Sequence, residues 1–120
     1  MNKIANKICE ALKLQGRVFT VNASSIEAEG LKFEITPHLA TEDPEQISLS
    51  FTPMDEANGA RNGLFPVLFM TDHFGKNCDP KEIIARAVAK VRNGGEFTQE
   101  IGDWTLKLSQ NGGRFILQVY

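Results

Sequence analysis

Long apolar runs are missing from this chain, and so are most of the residues that build specialised chemistry. Nowhere do about 18 apolar residues follow one another, the length a membrane-spanning helix requires. Cysteine is confined to Cys9 and Cys78, too few for a disulfide framework, so reduced thiols in a cytoplasmic setting are the expectation. Histidine is confined to His38 and His73, and no Cys-x-x-Cys pair occurs. The usual paired-ligand spacings of a metal site are therefore absent, and nothing calls for a metal or another cofactor. A formal net charge of −2 gives no general attraction to nucleic acid or to an anionic membrane, so neither is an expected partner. The N-terminal stretch 1–14 is basic, but Asn6, Lys7, Glu10 and Lys13 interrupt its apolar residues. It reads as a first helix and not as a targeting segment.

What is present points to one α+β domain over residues 1–120. The chain has 120 residues, 42% of them hydrophobic and 23% charged, which is ordinary globular usage at a length that builds one core. Ile4, Ala5, Ile8, Cys9 and Leu12 recur at helical spacing and predict a helix over about 3–14, stopped by Gly16. Asp79 as N-cap, Pro80 at the first helical position and Glu82 closing a capping box predict a second helix over 79–92. Its stripe is Ile83, Ile84, Ala87, Val88 and Val91. Strands are expected at 17–22, 28–36, 46–52, 65–70, 96–101, 104–109 and 114–120. In the strand expected at 65–70, Pro66 demands an edge or a bulge. The order αβββ(β)αβββ then implies a mostly antiparallel sheet of six to seven strands with both helices on one face. Polar residues Ser48, Ser50, Thr52, Thr105, Lys107 and Ser109 alternate with apolar ones, leaving the other face to water or a partner. The two helix exits echo each other, Gly16-Arg17-Val18-Phe19-Thr20 against Gly94-Gly95-Glu96-Phe97-Thr98. A helix-to-strand exit by itself favours glycine followed by β formers.

Reactive side chains cluster in one place, the expected loop 71–79 with Asp72, His73, Lys76, Cys78 and Asp79. A thiol near a helix N-terminus with a histidine as base is the chemistry of a Cys nucleophile. Two features oppose it here. Cys78 precedes the N-cap and Ile83 is the fourth helical residue, the spacing of a hydrophobic staple, and the charge of Asp79 disfavours a thiolate. Gly75-Lys76 also falls short of a phosphate loop, because Met70 and Asn77 stand where glycine and Ser or Thr are required. Arg61, in the glycine-rich segment 58–63, would serve as an anion clamp or lid if the chain held a small molecule beside 65–78.

Charge is unevenly spread. Between residues 27 and 56, eight acids face the single base Lys32, whereas segments 1–17 and 61–92 are net basic. Glu42, Asp43, Glu45, Asp55 and Glu56 are therefore the expected contacts to a protein partner of basic character. A homodimer through an edge strand, at 64–70 or 114–120, is a further expectation. The element order is similar to that of small acidic chaperones of type III secretion systems, which usually finish with a helix where this chain finishes with a strand. Size and charge also look like those of bacterial immunity proteins that neutralise basic toxins. Both resemblances imply a non-enzymatic protein-binding role; a small-molecule-binding protein or small enzyme is the competing expectation.

Overall fold

The computed structural model describes residues 2–36, 39, 46–52 and 58–120. Among them are three α-helices and seven strands, all in one antiparallel sheet. Helix α1 spans Lys3–Leu14 and buries Ile4, Ala5, Ile8, Cys9 and Leu12, the stripe read from its periodicity. Asn2 caps it, its Oδ1 accepting from the Ala5 N–H at 2.8 Å, which satisfies one of the free donors of the first turn. Strands β1 (Phe19–Val21), β2 (Ser25–Ala28), β3 (Leu31–Thr36) and β4 (Gln46–Phe51) follow. The strand expected at 28–36 is thus two strands, because Glu29 and Gly30 make the turn between them, with Gly30 at φ 75°.

The segment 65–70 is not a strand. It lies within helix α2, Leu64–Phe74, and this overturns the edge-strand reading of Pro66. Proline is tolerated there because it falls in the first helical turn, where no intrahelical N–H bond is due. The apolar run shows no helical period because α2 packs between α1 and helix α3 (Pro80–Arg92) and is covered on several sides. Phe65, Phe69, Met70 and Phe74 are buried. The start of α3 follows its sequence signals: Asp79 is the N-cap, and its side chain accepts from the Glu82 N–H.

The C-terminal meander β5 (Phe97–Ile101), β6 (Trp104–Asn111) and β7 (Arg114–Val119) completes the sheet, whose order is β1-β2-β3-β4-β7-β6-β5. Each half of the chain enters at an outer edge and works inward, and the halves join where β4 pairs with β7. Strand β7 is therefore central, flanked by β4 and β6. Neither 64–70 nor 114–120 offers the free edge expected of it; the edges belong to β1 and β5.

Alternate residues of every inner strand enter a single core with the helices: Leu31, Phe33 and Ile35, then Ile47, Leu49 and Phe51, then Leu106, Leu108, Phe115, Leu117 and Val119. Phe51 and Phe115 meet across the central pair with ring centroids 5.8 Å apart. The opposite face carries Glu27, Lys32, Ser50, Ile116 and Ser109 in one cross-strand row. Lys32 sits between Glu27 and Glu34 at 3.5 and 3.3 Å, alternation that suits a half-solvated sheet.

Candidate functional site

Both helices that lead into edge strands end in the same way. At α1 the Gly16 N–H donates to the Lys13 carbonyl and the Arg17 N–H to that of Leu12. At α3 the Gly94 N–H donates to Val91 and the Gly95 N–H to Lys90. Gly16 and Gly94 hold φ of 68° and 87°, the left-handed residue of a Schellman ending. Phe19 and Phe97 then open the two edge strands at the same offset. The motif explains the sequence echo, and it leaves two positions different: Arg17 and Val18 stand where the other exit has Gly95 and Glu96.

Arg17 builds a junction from that position. Its Nη1 donates to Asn62 Oδ1 at 2.6 Å and its Nη2 to the Glu29 carbonyl at 2.6 Å. The guanidinium lies over the Phe65 ring, 5.8 Å from its centroid, a cation–π distance. Asn62 is wholly buried; its Nδ2 donates to Thr52 Oγ1 at 3.1 Å. Thr52, expected on the open sheet face, instead binds back to Gly30 and Asn62. The end of α1, the β2–β3 turn, the end of β4 and the start of α2 are thus locked together by charge-assisted and neutral hydrogen bonds.

A groove runs past this junction in two arms that share Asn58 and Arg61. One arm, roughly 410 Å³, is lined by Gln15, Gly16, Arg17, Val18 and Glu29; the other, roughly 550 Å³, by Gly59, Ala60 and Leu64. Arg61 is exposed, with Nη1 3.5 Å from the Gln15 carbonyl, the long limit of a hydrogen bond. Among the described residues five large apolar side chains are exposed, and two of them line these arms: Val18 at 91% and Leu64 at 55%. Leu14, at 89%, directly precedes Gln15 in the chain.

The residues of the expected loop 71–79 are distributed differently from the sequence reading. Thr71 to Phe74 belong to α2, which reduces the loop to Gly75–Asn77 and its flanks. Asp72 pairs with Lys7 of α1 at 2.9 Å while its side chain is only 6% exposed. His73 is boxed by Phe69, Phe74 and Trp104 at centroid distances of 5.7, 4.8 and 4.7 Å. Burial pushes its imidazole below the usual histidine range, which favours the neutral form. Its Nε2 is buried with no hydrogen-bond partner among the described residues, so it does not serve Cys78 as a base there. The Cys78 thiol is pushed up by burial and then by Asp79, the reverse of nucleophile activation. Cys9 is likewise raised by burial. Lys76 is exposed in the short turn after α2. Among the described residues no group of three or more acidic, histidine or cysteine side chains is placed to hold a metal.

Glu42, Asp43, Glu45, Asp55 and Glu56 lie outside the described residues. Their segments join the sheet at opposite ends of β4, one running into Gln46 and the other leaving after Thr52. A strand of that length separates such ends by about 17 Å. No helix among the described residues is long and apolar enough to cross a membrane. No family model, no curated protein and no solved structure matches the chain.

Proposed function

We propose that this chain is a non-enzymatic protein-binding domain that docks its partner at the end formed by the α1 exit and the start of α2. The observation that carries the reading is the pair Val18 and Leu64, both exposed, in the lining of a groove with Arg17 and Arg61 in its walls. Arginine is enriched at interfaces, and exposed apolar groups beside it gain by being covered. The setting of the reactive groups supports it too: a raised thiol and a boxed, neutral imidazole suit packing better than turnover.

Affinity capture with the purified chain from its source cells, at low and at high salt, tests the proposal. A stoichiometric protein retained by the wild type and lost from Leu64→Ser and Arg61→Glu variants is the expected result. The acidic segments offer an alternative contact, to a basic partner. If neutralising Glu42, Asp43, Glu45, Asp55 and Glu56 removes the partner while Leu64→Ser and Arg61→Glu keep it, binding runs through the acids and the docking end is wrong. A second reading, a small anion held at Arg61, rests on the groove's size, which falls in the range of ligand clefts. It predicts a thermal shift with metabolite anions and no captured protein.

A further inference from the structure

The groove also specifies what kind of segment it takes, an inference that rests on the protein-binding reading above. Its lining charges among the described residues are Arg17 and Arg61 against Glu29. Arg17 is held by Asn62 and by the Glu29 carbonyl, fixed in the wall. Arg61 is differently placed: it is exposed, it belongs to both arms, and its Nη1 reaches only the long contact to the Gln15 carbonyl. An arginine presents several donors in one plane and binds a carboxylate through two at once. The apolar groups stand on both sides of it. Val18 lines the arm shared with Arg17, Leu64 lines the other, and Leu14 directly precedes Gln15, whose carbonyl Arg61 approaches.

We propose that the groove binds an acidic, apolar segment of a partner protein, which sets a carboxylate on Arg61 and spreads leucine-sized side chains over Leu64 and Val18. Charge complementarity selects the acid, and the exposed apolar groups select what flanks it. Glu29, an exposed residue of the same arm, carries the opposing charge and weakens the site.

The test uses the whole chain and three short synthetic peptides followed by fluorescence anisotropy. One carries glutamates between leucines, one carries lysines in place of the glutamates, and one carries serines in place of the leucines. The expected result is that only the glutamate–leucine peptide binds. Arg61→Glu weakens it about tenfold or more and gains binding of the lysine–leucine peptide, Leu64→Ser weakens it about tenfold, and Glu29→Gln tightens it a few-fold. Amide shifts in a titration should then map to Leu14, Val18, Arg61 and Leu64. Equal binding of the lysine and glutamate peptides, no binding at about millimolar concentration, or shifts on the open sheet face would overturn the proposal. So would sedimentation showing a dimer that Leu14→Ser and Leu64→Ser dissolve, since the occupant would be a second copy. The two readings fail separately. A captured partner that survives Arg61→Glu and Leu64→Ser sinks this inference together with the docking end and leaves the chain a protein binder, whereas no captured partner sinks both.

Discussion

The two helix exits are close copies in backbone and opposites in chemistry. Each ends in a Schellman turn on a left-handed glycine, each feeds a phenylalanine into an edge strand, and each borders a cleft. The α3 exit is lined by Val91, Gly94, Gly95, Glu96, Ser109, Gln110 and Gly112, without an arginine or an exposed leucine. The α1 exit carries Arg17, faces Arg61, and is flanked by exposed apolar groups. A shared backbone motif is therefore a structural solution that any helix-to-strand exit can use. What sits in the two variable positions, Arg17-Val18 against Gly95-Glu96, sets a plain corner apart from a surface with a cation and an exposed apolar group.

The largest expected effect comes where the halves join. Leu117 on β7 faces Leu49 on β4, and both are wholly buried. Leu117→Ala should cost about 2–5 kcal/mol by chemical denaturation. It should leave one cooperative transition, because the halves share a core; two separated transitions would break the picture of halves fused at β4–β7. Next is the junction. Arg17→Ala removes two short charge-assisted bonds and should cost about 1.5–3 kcal/mol, whereas Gly95→Ala at the equivalent position of the other exit removes no side-chain bond and should cost less, even with its Cβ 3.2 Å from the Lys90 carbonyl. Equal losses would mean that Arg17 is no more than a turn residue. Gly16→Ala and Gly94→Ala should each cost about 1–2 kcal/mol for the left-handed backbone, and their similarity measures how alike the exits are.

The smallest effect is a pH dependence that belongs to neither exit. Burial lowers the affinity of His73 for a proton below its ordinary value of 6.5. As pH falls past that value the unfolded chain takes up the proton first, so stability present above about 6.5 is lost progressively below it. His73→Phe should flatten that slope in urea titrations between pH 7.5 and 5.5.

Legibility from sequence followed how much of each element faced water. The stripe of α1, the cap of α3 and the alternation of β3, β4 and β7 are written plainly because one side of each is polar. Helix α2 reads as a strand because neighbours cover it on several sides and so no polar face marks its period; Pro66, which in a strand demands an edge or a bulge, sits where a first helical turn accepts it. The strand at 28–36 was read as one because Glu29-Gly30 is not among the common hairpin pairs. The reactive cluster is visible as composition, but burial, which no residue list carries, raises its thiol and holds its imidazole below the usual range. Arg61 was legible as an isolated cation near glycines. Arg17 and Val18 come from a distant part of the chain and adjoin Arg61 only through the fold; the local hints are an arginine and a valine where the second exit has glycine and glutamate.

The central claim is that the α1 exit, and not its twin, meets the partner. Hydrogen exchange of the chain alone and in complex with its captured protein tests this most directly. Slowed exchange at 14–18 and 58–64, with 93–96 unchanged, is the predicted result. Protection at 93–96 or along the open sheet face, with 14–18 and 58–64 exchanging as in the free chain, would contradict it.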